Sequence, residues 1–437
     1  MEEFGQYSFA VSFLTSFILI YIYKKERFLI IKPSIWFLFF YHVFIQWSAS
    51  FYYEEIYERL NQPYKFFILT QIIPFIVTIL TRYTFRTHAF KVWKRINLVS
   101  VNIQFIQKGI RTYSLGFTFI CFSIIGIYLI FVPLTSTGLY VGLTSDNPLL
   151  MSIAREKSMK LLPITWLKYL FALLEKFLAP VTVSLLTILG YQYNKEKKRL
   201  IAVSLVLMIF TIVLGVMLPG PRLNGVLVLL CSLITLFFIN IKSVNILKYV
   251  VLSILILIPA VIIQMQKYTD VEQGLFWVAF EEVFLRRALY VPMEAGIYWL
   301  DYVEDHGFWG PAGIPKLAAV LGIESIHVPN FLMQYNFNSI ESTGYLTASY
   351  MFSYYCYFGP YIYPFLVFSV LALDFWVIGY RFINSNLLMS SVIAINLITL
   401  VLTSTDYITL FISYGFLTGL LITVSISGFL TSIKKAR

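Results

Sequence analysis

The sequence of 437 residues predicts an all-α polytopic membrane protein, and three observations predict that fold class. Hydrophobic residues make up 59% of the chain and charged residues only 13%, with a mean hydropathy of +0.78. A soluble globular chain carries roughly 45–50% apolar and about 25% charged residues. Apolar runs long enough to cross a bilayer recur along the chain, and basic residues follow them in alternation. We therefore expect one multi-span membrane domain over residues 1–437.

About 11 apolar runs reach the roughly 17–25 residues that a transmembrane helix needs. They cover residues 8–23, 33–50, 65–82, 115–134, 169–190, 200–218, 225–241, 246–265, 361–380, 387–404 and 407–430. The first run follows Glu2 and Glu3 and precedes the basic segment KKER (24–27). That order predicts an uncleaved anchor whose N-terminus lies outside the cytoplasm.

The charges predict the orientation of these spans. With Met1 outside, 21 of the 33 Lys and Arg residues fall in cytoplasmic segments, Lys32 among them, and most acids fall on the outer side. The positive-inside rule then places the C-terminus in the cytoplasm. The net charge of +11 is thus explained by topology, and no nucleic-acid partner is expected.

Several classes of function lack their sequence signatures. Cys121, Cys231 and Cys356 lie in apolar stretches and form no disulfide framework or CxxC motif. HExxH, paired-histidine and GxSxG motifs are missing, so no metal site and no cofactor is expected. The chain also lacks the two related halves that are usual in secondary transporters.

The long connections lie on the predicted outer face, at residues 135–168 and 267–345. A compact connection rarely exceeds about 12–15 residues without a functional cause. We therefore expect the large loop 267–345 to carry part of the functional site. The basic cytoplasmic stretch 82–114 predicts either a topology anchor or a helix on an anionic leaflet.

Three arginines are candidates for binding an anionic group. Arg222 lies in the outer turn GPRLNG (220–225), with no acid in the turn or in the neighbouring spans. A guanidinium at bilayer depth marks a site or snorkels to headgroups, and its planar fork suits phosphate. In the loop helix predicted from Phe276, Phe280 and Phe284, Arg286 can pair with Glu282, whereas Arg287 has no acid three or four residues away.

After Pro292, which we expect to break that helix, come the candidates for a general base. They are Glu294, Asp301, His306 and His327, and each can also be an ordinary solvated loop residue. The segment ESTGYLTASYMFSYYCYFG (341–359) predicts a half-buried or re-entrant stretch. Its aromatic residues suit either sugar rings or an aromatic interface belt.

These features resemble the Wzy-type O-antigen or oligosaccharide repeat-unit polymerases. The resemblance covers the many-span architecture, the GPRLNG turn, the arginine-led segment RRALYVPMEAG (286–296) and the return ending in YFG (357–359). The RxxxxxxxxxxG spacing of some members is one residue longer than the interval from Arg286 to Gly296. The match is therefore one of architecture more than of signature.

The resemblance implies an inverting, metal-independent glycosyltransferase in the bacterial inner membrane that builds lipopolysaccharide O-antigen or capsule. Its substrate would be an undecaprenyl-pyrophosphate-linked oligosaccharide, and a chain-length regulator is a candidate partner. Arg222, Arg286 and Arg287 would bind the pyrophosphate, and the base would come from Glu294, Asp301, His306 and His327.

Three alternatives remain open from the sequence. An O-antigen ligase would use the same donor with a lipid A–core acceptor. A polyprenyl-monophosphate-sugar transferase would need a metal-bound acid pair, for which YYEEIYERL (52–60) offers Glu54 and Glu55. A lipid-linked oligosaccharide flippase would need charged residues lining a cavity, and the spans hold few, chiefly Lys168, Glu175, Lys176 and Asp374.

Overall fold

The computed structural model describes residues 2–54, 60, 62–101, 103–145, 148–220, 222–239, 290–337, 346–404, 407–412 and 416–436. Within these ranges the chain is helical and has no strand. Seven helices there are long and apolar enough to cross a membrane: Glu3–Lys25, Pro63–Leu80, Gly109–Phe131, Thr165–Lys195, Arg199–Met217, Pro360–Phe382 and Ser385–Thr403. The protein is thus an all-α, multi-pass membrane protein.

The chain divides into two compact units, formed by residues 1–90, 277–378 and 399–410 and by residues 91–276, 379–398 and 411–437. The α-helices of the first unit are Glu2–Lys25, Pro33–Tyr41, Trp47–Phe51, Pro63–Phe67, Ile73–Leu80, Val291–His306, Pro315–Leu321, Val328–Phe337, Tyr350–Phe358 and Tyr363–Ala372. Those of the second are Ile103–Phe131, Gly138–Thr144, Pro148–Lys160, Thr165–Leu173, Ala179–Lys195, Arg199–Met217, Arg222–Ile239, Ser385–Ile398 and Phe416–Ala436. Three of the five crossings between the units lie within described helices: Arg86–Val101, Trp376–Gly379 and Tyr407–Ile412.

Short π-helical and 3-10 segments interrupt several of the predicted spans. The π turns are His42–Gln46, Ile68–Ile72 and Leu174–Leu178. The 3-10 turns are Arg27–Ile31, Leu134–Ser136, Gly310–Gly313, Pro360–Ile362, Leu373–Phe375, Tyr380–Phe382 and Thr399–Thr403. In two cases, a proline, Pro74 or Pro180, is the second residue of the helix that follows the π turn. Proline cannot donate to the carbonyl four residues before it, which favours an irregular turn at that point.

In the second unit, the helix Ala179–Lys195 lies at the centre. It packs against Ile103–Phe131, Arg199–Met217, Arg222–Ile239 and Ser385–Ile398. Residues 179–189 are all buried, which explains why this stretch has no charged side chain on any side.

In the first unit, Glu2–Lys25 packs against Ile73–Leu80, and a buried polar network links the first three predicted spans. The Ser12 hydroxyl donates to Oε1 of Gln71 (3.1 Å), and the amide of Gln46 donates to Thr15 (3.1 Å). His42 lies 2.7 Å from Gln46. Such side-chain hydrogen bonds between apolar helices typically contribute about 0.6–2 kcal/mol each.

Candidate functional site

The turn that precedes Arg222 is fixed by close backbone packing. Gly138 lies against Pro219 and Gly220, so closely that a Cβ atom on Gly138 would overlap the Pro219 carbonyl. The Leu139 amide donates to the Leu218 carbonyl at 3.1 Å. Gly220 has a φ of +118°, a conformation that side chains with a Cβ rarely adopt. The segment 135–168 therefore packs directly on Gly220, where the GPRLNG turn begins.

Beside this turn lies a polar group that we name the Lys176 cluster: Arg155, Glu175, Lys176 and Asn224. Lys176 Nζ donates to Oδ1 of Asn224 at 2.5 Å, and Asn224 also interacts with the Glu175 carboxylate. Arg155 interacts electrostatically with both Glu175 and Lys176, and its Cβ lies next to Gly220. Two cationic side chains, Arg155 and Lys176, thus lie near the N-terminus of the helix Arg222–Ile239.

The Lys176 cluster owes its geometry to the π turn Leu174–Leu178, which holds both Glu175 and Lys176. Because Pro180 has no N–H, it cannot donate to the Lys176 carbonyl, and the turn widens by one residue. Lys176 and Glu175 are half-buried, so their side chains are partly accessible. π turns of this kind are frequent at functional sites.

The electrostatics of the Lys176 cluster favour an anion. Asn224 lies in the first turn of the helix Arg222–Ile239, where unpaired amide groups and the helix dipole are positive. Lys176 and Arg155 add two positive charges and Glu175 removes one. A phosphate group could accept hydrogen bonds from such a cluster.

An acid that is distant in the sequence lies near the start of the helix Arg222–Ile239. The turn and its neighbouring spans contain no acid, but Glu175, from a span further back in the chain, lies next to Asn224. Arg222 itself begins the helix. The helix Arg222–Ile239 therefore starts beside a carboxylate that could not be identified from the neighbouring sequence.

Three of the base candidates lie on one helix, Val291–His306. Glu294 and Asp301 are seven residues apart and therefore lie on the same face. His327 immediately precedes the helix Val328–Phe337, where its carbonyl accepts from the Phe331 amide at 3.0 Å. Arg286 and Arg287 lie outside the described residues.

The helix that Pro292 is expected to end, predicted from Phe276, Phe280 and Phe284, lies outside the described residues, but Pro292 itself lies in a helix. It occupies the first turn of Val291–His306, where a missing N–H costs nothing, and Gly307 with a φ of +85° ends the helix. The acids that were expected on a loop are therefore held in helical register.

His306 has a defined orientation. Its ring stacks on Tyr302 with 4.3 Å between centroids, and its Nδ1 lies 3.2 Å from the Tyr302 carbonyl. A carbonyl only accepts hydrogen bonds, so Nδ1 is the donor and Nε2 of the neutral ring carries the lone pair. His306 is exposed, and a substrate could therefore reach Nε2.

Glu304, which the sequence places in one cluster with Asp305 and His306, differs from both in its burial. Its side chain is only 5% exposed and lies 3.6 Å from Lys65 Nζ. Neither carboxylate oxygen has a hydrogen bond within the part of the chain that the structure describes. The sequence places Glu304 beside the exposed Asp305 and His306, and no local signal distinguishes it from them.

The aromatic residues at 350–357, in the described part of the segment 341–359, do not form a surface. They belong to the helix Tyr350–Phe358, in which residues 350–357 are all buried. Tyr350 is fully enclosed, and its hydroxyl donates to the Leu366 carbonyl at 3.2 Å. Neither a sugar-stacking surface nor an interface belt fits these buried rings, which instead form the core of the first unit.

The acid pair considered for a sugar transferase is only partly described. Glu54 is exposed and accepts from the Tyr53 hydroxyl at 2.8 Å, while Glu55 lies outside the described residues. Within the described ranges, no three His, Cys, Asp or Glu side chains converge as they would to hold a metal ion.

Comparison with known proteins gives no relative: no family model, no curated protein and no solved structure matches this chain.

Proposed function

We propose that this protein polymerises polyprenyl-pyrophosphate-linked oligosaccharide repeat units at the outer face of the bacterial inner membrane. The observation that carries this proposal is the Lys176 cluster at the start of the Arg222 helix. It gathers cationic side chains and a helix N-terminus in segments that the charge pattern assigns to the outer membrane edge. That is where a lipid-linked pyrophosphate would lie.

The proposed reaction is an inverting glycosyl transfer. A hydroxyl oxygen of the acceptor sugar attacks the anomeric carbon of the donor, and the bond from that carbon to the pyrophosphate oxygen breaks. The proton of the hydroxyl passes to a base, and polyprenyl pyrophosphate leaves with the bonding electrons. Negative charge grows on the leaving oxygen, so positive groups placed there stabilise the transition state without a metal ion.

We assign the leaving pyrophosphate to Lys176, Arg155 and Arg222, with Arg286 and Arg287 as further candidates. Glu175 would limit the net charge, so that the product pyrophosphate is not held too tightly. The base belongs to the set Glu294, Asp301, His306 and His327.

Transport of the same lipid is the less favoured function. A flippase needs charged groups that face a cavity, whereas Lys32 and Asp374 are enclosed and paired with each other.

The test is a gel of surface polysaccharide from a deletion strain, complemented with wild-type protein, Arg222→Ala or Arg287→Ala. Glycan capped at one repeat in the deletion, and not extended by either variant, is the expected result. Complete loss of surface glycan in the deletion would instead indicate a ligase or a flippase. Full polymer with both variants would contradict the assignment of these arginines to the pyrophosphate.

A further inference from the structure

Five aromatic side chains form a continuous stack on the large outer loop, which we name the aromatic stack: Tyr302, His306, Trp309, Phe331 and Tyr335. Tyr302 stacks on His306 at 4.3 Å and on Trp309 at 4.7 Å between ring centroids. Phe331 and Tyr335 meet Tyr302 edge-on at 5.5 and 5.2 Å. The rings therefore fix one another in position.

The aromatic stack stands on a rigid support. The helix Val291–His306 is buried along much of its length, and the Trp299 indole donates to the Leu346 carbonyl at 2.8 Å. Gly296 lies against the ring of Phe352 with no room for a Cβ. Because these contacts fix the helix, the stack is preorganised and would lose little entropy on binding a ligand.

The front of the aromatic stack is open. Tyr335 is 50% exposed, Phe331 is 37% exposed, and His306 is exposed as well. Clustered exposed aromatic rings on a rigid support are typical of a binding surface. Burial, and secondly Tyr335, raises the pKa of Tyr302, whose hydroxyl therefore remains a hydrogen-bond donor at physiological pH.

An acidic stripe runs beside the aromatic stack on the same helix. Glu294, Asp301 and Asp305 lie about a quarter turn from Tyr302 and His306, given 3.6 residues per turn. Carboxylates accept hydrogen bonds from vicinal hydroxyl groups, and the face of a pyranose ring presents polarised C–H groups to the negative face of an aromatic ring. The aromatic stack thus suits the C–H face of a sugar ring, and the acidic stripe suits its hydroxyl groups.

We infer that the aromatic stack is a glycan-binding platform, with sugar rings on Phe331, Tyr335 and His306 and their hydroxyls on the acidic stripe. The identity of the glycan, the oligosaccharide repeat, rests on the proposed function. The inference that the stack binds some glycan does not depend on the proposed function.

The charge beside the stack argues against two other occupants. An aromatic patch that lies on the bilayer surface is expected to carry lysine and arginine, because anionic headgroups repel carboxylates. A second copy of this chain meeting the platform across a two-fold axis would bring like charges together. A neutral, hydroxyl-rich ligand is repelled in neither of these ways.

The test measures binding directly. The full-length protein, purified in detergent, is titrated with oligosaccharide fragments released by mild acid from the surface polysaccharide of the parent strain. Tyr335→Ala and His306→Ala are each expected to weaken binding roughly three- to tenfold, which corresponds to the loss of one aromatic contact. Tyr335→Phe keeps the ring and should bind like the wild type.

Tyr361→Ala is the matched control, because Tyr361 is 93% exposed and lies outside the stack. It should bind like the wild type. Trp309→Phe should retain binding while losing the change in tryptophan emission that accompanies it. Unchanged affinity in both alanine variants, or equal weakening by Tyr361→Ala, would overturn the platform.

Failure of the platform and failure of the proposed function are distinguishable. If a deletion strain still makes full-length polymer, the proposed polymerase function is wrong. The titration tests glycan binding by the platform independently of that result. Polymer that stops at one repeat in the deletion, together with wild-type affinity in Tyr335→Ala and His306→Ala, refutes the platform alone.

Discussion

Lys32 Nζ lies 3.0 Å from a carboxylate oxygen of Asp374, and neither side chain is exposed at all. The Asp374 carboxylate also accepts from the Ser34 amide at 3.2 Å and from the Thr81 and Thr84 hydroxyls at 3.2 and 3.0 Å. The pair thus has the hydrogen bonds that a buried charge requires. It joins residues 342 positions apart in the chain and locks three helical segments of the first unit together.

Replacing Asp374 with Asn should destabilise the protein severely. The change leaves the Lys32 ammonium buried without a counter-charge, which typically costs about 3–5 kcal/mol in the free energy of unfolding. Unfolding of the purified variant in mixed detergent and denaturant, followed by circular dichroism, measures the loss.

The control for this prediction removes both charges. Lys32→Met with Asp374→Leu leaves no unpaired charge, so the double variant should be more stable than Asp374→Asn alone. A double variant that is less stable than Asp374→Asn would contradict the prediction that the unpaired Lys32 charge causes most of the loss.

Lys176→Met should abolish chain extension while the protein still reaches the membrane. Loss of one preorganised donor to a developing negative charge commonly costs about 10²–10³ in rate. The readout is the amount of polymer and of accumulated lipid-linked repeat. Lys168→Met is the matched control, since Lys168 lies in the same span, Thr165–Lys195, but outside the Lys176 cluster. If Lys176→Met makes normal polymer, the Lys176 cluster does not bind the leaving pyrophosphate.

Gly138→Ala should displace the turn that leads into Arg222. The added methyl group would meet the Pro219 carbonyl, a backbone atom that cannot rotate away. Overpacking of this kind typically costs about 1–3 kcal/mol, and we expect a lower unfolding temperature together with reduced polymer.

Gly126→Ala tests whether the effect of Gly138→Ala is specific. A Cβ at Gly126 would meet nothing within 4 Å, and alanine is the better helix former, by roughly 1 kcal/mol. Gly126→Ala should therefore be neutral or stabilising. Equal damage from both variants would mean that the contact of Gly138 with Pro219 is not the cause.

The general architecture could be predicted from the sequence because it depends on local composition. The run 200–218 is apolar throughout, and the structure has the helix Arg199–Met217 there. The run 33–50 is also long enough to span a bilayer, yet it contains the π turn His42–Gln46. Hydropathy is insensitive to such a turn, because it depends on which residues are present and not on how their carbonyls are paired.

The polar clusters could not be predicted, because they depend on contacts between distant segments. Lys32 counts as a cytoplasmic loop residue in the charge pattern, yet it is fully buried against Asp374. Lys176 and Asn224 are 48 residues apart and meet only through the packing of their helices. A charge inside an apolar run indicates that a partner exists, but its position does not identify that partner.

Glu294→Gln and Asp301→Asn test whether the acidic stripe contains the general base. An amide keeps the shape of the side chain but cannot take a proton, so loss of the base should lower the rate of chain extension about 10²–10⁴-fold. Glycan binding should remain in the same variant, because amides still form hydrogen bonds with hydroxyl groups. Asp305→Asn is the control, since Asp305 is exposed on the same stripe and is not a base candidate. If both amide variants extend chains normally, the base is His306 or His327, and His306→Gln then becomes the decisive measurement, because the lone pair on Nε2 of His306 is accessible to a substrate.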